Sequence, residues 1–369
     1  MTEQAFALER FEPDWVVAPG ETIAEFLEEK SITQRELALR MGVTPKFVNH
    51  LLAGQAPISK ETALKLERVL GGDARFWLRL ELQYREGLAR REELVEAEGW
   101  VSWLQGKPYK ELMKVGLIPE RRATKAEKPR IVLDLLRYFG AASPDDWNNT
   151  YASMQAQFRR TQTRASDDMA VAAWLRMGVQ VAQKISTAPY SKKKFIQVLE
   201  EVRTFTVHDP SIWQHQLMDL CASAGVAVAF VPALPTSGVS GVARWMSSDK
   251  ALIQLSLYGK SNDKLWFTFF HEAAHLLFHA KKSIFLDSLD AKADVDELEA
   301  EANKYARDVL IPPKWAKELS SLLGEDDIRR FANELGIHSG IVVGRMQYDR
   351  IIDFHQFNHL KDRYEFTGS

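Results

Sequence analysis

Residues 267–280, with the sequence FTFFHEAAHLLFHA, place His271, Glu272 and His275 inside an apolar run. Two histidines four residues apart lie on one face of a helix, one turn from each other. That spacing lets both imidazoles reach one metal ion, and Glu272 can act on a water bound to the ion. The pattern therefore predicts a zinc site in which the histidines are ligands and Glu272 is the general base.

A third protein ligand is expected downstream, in residues 296–313. On a helix, Glu299 and Asn303 fall on a stripe that is otherwise apolar, which favours Glu299 over Glu301 as the ligand. Asn303, one turn further on, is predicted to orient a ligand. His279 is expected to contact the site without binding the ion, because three ligands spaced by four residues spread over about 12 Å of helix.

Signals for the start and end of helices follow closely in residues 31–59. Thr33 followed by Glu36 is a capping box, in which each side chain accepts the backbone N–H of the other residue, and it predicts a helix that stops at Gly42. Thr44 followed by Pro45 predicts the start of a second helix. A connection this short sets two helices at a steep angle, which is the helix-turn-helix geometry.

The outer side of the second of these helices is predicted to carry Lys46, Asn49 and His50. Lysine and asparagine are residues that read base edges in the major groove. Residues 31–68 contain six Lys or Arg against three Glu, in a chain whose net charge is −2. This local excess favours DNA binding over the alternative of a helical bundle that binds only protein.

The composition is that of a globular chain, with 46% hydrophobic and 27% charged residues in 369, enough for two or three domains. Cys221 is the single cysteine, which excludes a disulfide within the chain and a zinc site of several cysteines. The first 17 residues do not resemble a signal peptide, and no apolar run is long enough to span a bilayer. We therefore expect a cytoplasmic protein without a membrane partner.

The chain changes texture near residue 216, where short β-branched and aromatic runs bounded by Gly, Pro or Ser replace helical patterns. Three strands are predicted there, arranged as a meander. The predicted fold class is mainly α with a small β-sheet. The predicted domains are a helix-turn-helix bundle at 1–90, a helical dimerisation or partner-binding region at 91–215, and a C-terminal α+β domain at 216–369.

Residues 19–71, with the capped helices described above, resemble the Cro/C1-type helix-turn-helix family and, more narrowly, the HigA-type antitoxins. The resemblance implies a homodimer that binds double-stranded operator DNA near its own promoter and a toxin as a protein partner. Carried over by position, it implies that Gln34, Thr44, Lys46 and Asn49 contact DNA.

The HExxH motif, together with residues 299–312 and their Leu-hydrophobic-Pro ending, resembles the ImmA/IrrE family of metallopeptidases. This resemblance implies a zincin-like fold, one Zn²⁺ per chain, and Glu299 in the position of a ligand. It also suggests a repressor as a protein partner, because proteases of this family cut helix-turn-helix repressors.

Three functional hypotheses follow. The chain is a transcriptional regulator of the antitoxin type whose metal domain senses, binds a partner or cleaves. Alternatively, it is an active zinc endopeptidase that cleaves itself or a partner repressor, or it carries a metal domain without catalysis. A peptidase also needs a donor to the oxyanion, for which Tyr258, His279 and Arg244 are candidates.

Overall fold

The structure is a computed structural model that describes residues 16–151, 167–235, 237–279 and 292–366, with the backbone alone for 292–296. The chain divides into two compact units. The first comprises Met1–Ser102 and Ala123–Leu133, and the second comprises Trp103–Arg122 and Asp134–Ser369. The predicted region 91–215 is thus divided between the two units.

Among the described residues of the first unit, five helices precede residue 102. They are α1 (Pro19–Glu29), α2 (Gln34–Met41), α3 (Pro45–Leu52), α4 (Lys60–Leu70) and α5 (Ala74–Gly99). Their apolar faces meet in one core, in which Ile23, Leu37, Val48, Leu66 and Trp77 are fully buried. The start of α7 (Lys128–Phe139) also belongs to this unit.

Side-chain caps fix the ends of these short helices, as the sequence predicts. The Thr33 hydroxyl accepts a hydrogen bond from the Glu36 N–H at 3.2 Å, and Thr44 accepts one from the Phe47 N–H at 3.2 Å. Gly42 ends α2 in the left-handed region, with φ of 62°, which glycine adopts without steric cost. The helix-turn-helix geometry therefore follows from local signals.

The second unit contains the remaining helices and the sheet. Its helices are α6 (Tyr109–Lys114), the rest of α7, α8 (144–151 as described), α9 (Asp168–Lys184), α10 (Lys192–Arg203), α11 (Pro210–Ser223), α12 (Asn262–Phe278), α13 (Lys292–Leu310), α14 (Pro313–Ala316), α15 (Glu325–Leu335) and α16 (Ser339–Tyr348). Its strands are β1 (Val226–Phe230), β2 (Gly241–Trp245) and β3 (Ala251–Leu255). A mainly α fold with a small three-stranded sheet is confirmed.

The predicted meander is wrong, because the strands lie in the order β1-β3-β2. β3 pairs in parallel with β1 and antiparallel with β2, so only the β2–β3 pair is a hairpin. All five residues of β3 are buried, as expected for a central strand, whereas β2 at the edge is only partly buried. The ten-residue connection 231–240 is long enough for the chain to cross from β1 to the far edge.

The two faces of the sheet pack against different helices. Ala243, Ile253 and Leu255 share a core with the apolar residues of α12. On the opposite face, Gln254 donates a hydrogen bond to the Trp174 carbonyl of α9 at 2.6 Å, and Arg244 donates one to the Leu175 carbonyl at 2.7 Å. The sheet thus separates α9 from α12. Within the described residues, no helix is long and apolar enough to cross a membrane.

Replacing Gly20 by alanine is expected to destabilise the first unit. A Cβ at Gly20 would stand 1.9 Å from the Leu52 carbonyl oxygen, so α1 and α3 would have to separate. We expect a loss of about 1–3 kcal/mol in the free energy of unfolding, the usual cost of overpacking. Chemical denaturation measures the loss, and hydrogen exchange of peptides from α1 and α3 locates it.

The matched control is Gly99→Ala, at an exposed position where no neighbouring atom lies within 4 Å of the added Cβ. This variant should be as stable as the wild type or slightly more stable, because alanine favours helix over glycine. Equal exchange protection in α1 and α3 of Gly20→Ala and wild type would contradict the close approach.

Candidate nucleic-acid interface and metal centre

One face of the first unit presents the residues predicted to contact DNA. Gln34, at the start of α2, and Thr44, Lys46 and Asn49, at and within α3, are exposed, whereas His50 is half-buried. Helices α2 and α3 pack through Leu37, Ala38, Val48 and Leu51, which are buried in the core of the unit. The polar groups of α3 are therefore held on its outer side.

Lys46 and Asn49 form no side-chain hydrogen bond or ion pair within the described part of the chain. The Thr44 hydroxyl already accepts the Phe47 N–H, so it remains able to donate its own hydrogen. An ammonium, a carboxamide and a hydroxyl on one exposed helix supply the donors that phosphates and base edges require.

The second unit brings His271, His275 and Glu299 together. The Nε2 atoms of the two histidines lie 3.0 Å apart. The Glu299 carboxylate lies 3.2 Å from Nε2 of His271 and 3.5 Å from Nε2 of His275. This trio is the group of three potential metal ligands that the described residues bring within 4.8 Å of one another.

The spacing of the trio suits zinc. Ligand atoms about 2 Å from a tetrahedral ion stand about 3.3 Å from one another, which is close to the three distances observed. Two imidazoles and one carboxylate leave a fourth position for water or substrate, as in catalytic zinc sites. The donor set thus fits a single Zn²⁺.

Neighbouring residues orient the two histidines. Nδ1 of His271 lies 3.1 Å from Oδ1 of Asn303, and Nδ1 of His275 lies 2.7 Å from Nδ1 of His279. The Asn303 oxygen can only accept, so the His271 proton lies on Nδ1 and Nε2 carries the lone pair that a metal needs. His279 stands just beyond the end of α12, and its Nε2 lies within ion-pair distance of Glu301, at 3.4 Å, without hydrogen-bond alignment.

Burial and mutual contact shift the pKa values of the trio. Burial and the charge of His271 lower the pKa of His275 to about 4, so this imidazole is neutral at pH 7. Burial also acts to lower the pKa of His271, but contact with Glu299 and the charge of Glu272 outweigh it and raise the pKa. For Glu299, burial acts to raise the pKa, but the three histidines around it together lower it. Positive charge beside Glu299 therefore stabilises its ionised carboxylate, and a proton or a metal ion can supply that charge.

Glu272 is buried beside the trio, on the side of α12 that meets the sheet. Burial raises the pKa of its carboxyl group to about 7, while the Ala243 N–H, which donates to the carboxylate, acts in the opposite direction. Gly241 leaves the room that this arrangement needs, because a Cβ there would stand 3.2 Å from Oε1 of Glu272. A carboxyl group that titrates near neutrality can both take and release a proton at pH 7.

Small residues bring α12 and α13 close to each other. Ala274 on α12, and Ala302 and Ala306 on α13, are fully buried and lie on the helical stripes that carry the trio. Residues without long side chains allow two helices to pack at short interaxial distance.

Beyond the site, the Arg203 guanidinium donates hydrogen bonds to the Val309 and Leu310 carbonyls, and thereby holds the carboxyl end of α13.

The candidate oxyanion donors fare differently. The prediction of Arg244 as an oxyanion donor is wrong, because its side chain extends from the face of the sheet opposite α12 and donates a hydrogen bond to α9. His279 contacts His275 through Nδ1, and Tyr258 is 41% exposed. The sequence reasoning missed the Ala243 N–H, which donates to the carboxylate of Glu272, since a backbone group of a strand has no side-chain signature.

Comparison with known proteins agrees with the geometry of the first unit. The helix-turn-helix family HTH_3 matches residues 23–77. An uncharacterized HTH-type transcriptional regulator, YddM of Escherichia coli (strain K12), is 36% identical over 78 residues, which cover 81% of that protein and 21% of this chain. The chain belongs to the helix-turn-helix family of transcriptional regulators. The family implies DNA binding by this unit.

Two further relatives show similar coverage of this helix-turn-helix regulator. Virulence-associated protein I of Dichelobacter nodosus is 32% identical over 78 residues, covering 72% of that protein and 21% of this chain. Multiprotein-bridging factor 1 of Candida albicans is 38% identical over 55 residues, covering 36% of that protein and 15% of this chain. These alignments concern about a fifth of the regulator, so the metal-ligand trio rests on its own geometry.

The trio leads to a prediction about metal content. Wild-type regulator is expected to hold about one zinc per chain, and Glu299→Ala is expected to lose it, because two histidines alone leave the ion without its carboxylate ligand. Elemental analysis after reconstitution and buffer exchange measures both. Glu301→Ala is the matched control, since it removes a carboxylate two residues away whose side chain is 54% exposed.

The control should retain zinc at the wild-type level. Wild-type protein without zinc after reconstitution would contradict the metal site, and Glu299→Ala with full zinc would contradict the assignment of the third ligand.

Proposed function

We propose that this regulator is of the antitoxin type, that it represses its own operon as a homodimer, and that its second unit is a zinc-dependent, peptidase-like sensor or effector. The observation that carries the DNA-reading part is the exposed face of α3, where Lys46 and Asn49 have no partner among the described residues. The toxin or defence protein that such a regulator binds is part of the proposal.

The exposed side of α3 with Thr44, Lys46 and Asn49, the reading face, supports sequence-specific binding in the major groove. Thr44 and Lys46 lie in the first turn of α3, which is the end of a recognition helix that contacts base edges. Asn49 follows Lys46 by three residues, so both side chains lie on one face of the helix. Gln34 opens α2 and is suited to a phosphate contact, because the first helix of the motif crosses the backbone.

The proposal of a homodimer rests on the small number of base pairs that a single recognition helix can contact. One α3 covers only a few base pairs, and helix-turn-helix proteins gain affinity by placing two recognition helices one helical turn of DNA apart. A closed twofold dimer meets this requirement and predicts a palindromic operator.

The double variant Lys46→Ala, Asn49→Ala is expected to bind the promoter of its own operon on the order of thirtyfold more weakly or worse, at about 1 kcal/mol or more for each lost contact. A mobility-shift titration at fixed salt measures the change. The matched control is Lys30→Ala, Gln83→Ala, which removes one ammonium and one carboxamide from exposed positions outside α3.

Wild-type affinity of the control, together with unchanged zinc content of both variants, would assign the loss to the reading face. Equal affinity of the Lys46→Ala, Asn49→Ala variant and the wild type would contradict that assignment.

A second candidate function is an active zinc endopeptidase that cleaves itself or a partner helix-turn-helix repressor. The observation that favours it is the buried Glu272, whose pKa of about 7 suits a general base and acid. His271, His275 and Glu299 would hold the ion, which supplies an acidified water and polarises a carbonyl. Asn303 holds the proton of His271 on Nδ1, and the Ala243 N–H fixes the carboxylate of Glu272.

The strand beside Glu272 also suits a peptide substrate. Ser240 accepts a hydrogen bond from the Ser256 N–H, so the alternating pattern of β2 turns Gly241 and Ala243 away from β3. β2 is an edge of the sheet as described. An extended peptide can add to such an edge through main-chain hydrogen bonds, close to the carboxylate of Glu272.

Glu272→Gln separates catalysis from metal binding. The variant is expected to retain zinc and operator binding, and to cleave at least about a hundredfold more slowly, because an amide cannot take the proton from water. The assay incubates zinc-loaded protein alone and with purified helix-turn-helix repressors, and identifies fragments by mass spectrometry. Glu301→Gln makes the same chemical change at an exposed carboxylate and should cleave like the wild type.

Cleavage by Glu272→Gln at the wild-type rate would contradict the role of this residue. Absence of cleavage by the zinc-loaded wild type would contradict the endopeptidase and leave the regulator with a metal domain that senses or binds.

A further inference from the structure

A cavity of the second unit lies beside the amino-terminal half of α12. The cavity has a volume of about 620 Å³, and its walls come from α12, α13, α16 and the segment after α16. Phe267 and Thr268 line it, and the Phe267 ring lies 6.1 Å from that of His271. This volume is in the range of sites that bind small molecules, roughly 300–1,000 Å³.

The charged residues that line the cavity are mostly cationic. They comprise one acid, Asp263, and five bases, Lys264, Arg307, Arg345, Lys361 and Arg363. Asp263 is bound by Lys361 at 2.7 Å, and Arg345 is bound by Asp349 at 2.6 Å. Lys264 and Arg363 are exposed and form no ion pair within 4.0 Å among the residues that the structure describes, although the charge of Arg363 acts on the nearby Glu365. The cavity therefore has an excess of positive charge in a chain whose net charge is −2.

Arg345, which lines the cavity, has a buried donor without an acceptor among the described residues. Its side chain is only 16% exposed, and its Nη1 is buried without a hydrogen-bond acceptor in the described chain. A buried donor without an acceptor costs about 1–3 kcal/mol, so such groups are ordinarily satisfied by protein, water or ligand. A rotation of the Arg345 side chain would be needed to turn this donor towards an anion in the cavity.

Aromatic side chains stand at the same cavity. Tyr348 is 60% exposed and Phe354 is 74% exposed, although side chains of this size usually bury most of their surface. The Arg307 guanidinium lies over the Tyr348 ring, 5.6 Å from its centroid. Exposed rings beside guanidinium groups form a surface on which a planar ring can stack.

We propose that this cavity binds a small ligand that carries both an anionic group and an aromatic ring, which is the chemistry of a nucleoside phosphate. Lys264, Arg345 and Arg363 bind the phosphate oxygens, and Tyr348 and Phe354 stack on the base. The proposal does not depend on the metal-ligand trio or on the reading face of α3. An acidic peptide segment would use the same cations, but it would leave the aromatic rings without a planar partner.

Isothermal titration calorimetry with the full chain tests the cavity. The probes are ADP, GDP, CDP and UDP, with pyrophosphate as the anion alone and adenosine as the ring alone. At least one diphosphate is expected to bind with a Kd below about 1 mM, and more tightly than pyrophosphate or adenosine. Chelation at the trio would appear as pyrophosphate binding as tightly as the nucleotides, so the anion alone separates the cavity from the metal-ligand trio.

The variant Lys264→Gln, Arg363→Gln should weaken nucleotide binding by about tenfold or more, because charge-assisted contacts to phosphate are lost. Both positions are exposed, so the melting temperature should stay that of the wild type. Lys193→Gln is the control, since it removes an exposed ammonium on α10 outside the cavity.

Four results would overturn the proposal. They are no diphosphate binding below about 1 mM, pyrophosphate or adenosine binding as tightly as the nucleotides, wild-type affinity of the Lys264→Gln, Arg363→Gln variant, and a poly-glutamate peptide that binds more tightly than every nucleotide. The last result would assign the cavity to acidic peptides instead.

Discussion

The second unit depends on compensating the ionisable groups that α12 removes from water. His271, Glu272 and His275 lie in a helix whose neighbours include fully buried phenylalanines, and uncompensated groups there would cost several kcal/mol each. Apart from His279, which directly follows α12 and contacts His275, the compensating groups come from elsewhere in the second unit. α13 contributes Glu299 and Asn303, and β2 contributes the N–H of Ala243. These contacts therefore form only when the sheet, α12 and α13 pack together, and fully buried alanines of the two helices take part in that packing.

The first unit follows a different rule, and for that reason its sequence was easier to interpret. Its helices are short, and their ends are fixed by neighbours within three or four residues, such as Thr33 with the Glu36 N–H and Thr44 with the Phe47 N–H. Signals of this kind need no knowledge of the tertiary fold. The prediction of a helix-turn-helix is confirmed by the structure and by the family match to residues 23–77. One local expectation differs in detail, because the Glu36 carboxylate contacts Arg40 and not the backbone N–H of Thr33.

Features that depend on distant pairing could not be obtained in the same way. The sequence located the three strands, but the order β1-β3-β2 depends on which strand is buried on both faces, and the meander was wrong. Arg244 shows the same limit, since the alternation of a strand makes its two faces equivalent until the packing helices are known. In contrast, helical periodicity alone selected Glu299, which the structure brings to 3.2 Å from His271. The prediction from helical periodicity succeeded because an acid on an otherwise apolar helix face needs a cationic or hydrogen-bonding partner to offset the cost of burial.

These two rules determine what substitution can do in each unit. On α3, Lys46 and Asn49 are exposed and form no side-chain hydrogen bond or ion pair within the described chain, so their replacement is expected to leave the fold unchanged. In the trio, a lost carboxylate leaves His271 and His275 buried against each other at 3.0 Å, so a change in function comes together with a change in stability. A metal ion that binds the folded trio and not the unfolded chain adds its binding free energy to the stability of α12 and α13. The amount of metal bound and the stability of the second unit should therefore rise and fall together, while the reading face remains indifferent to both.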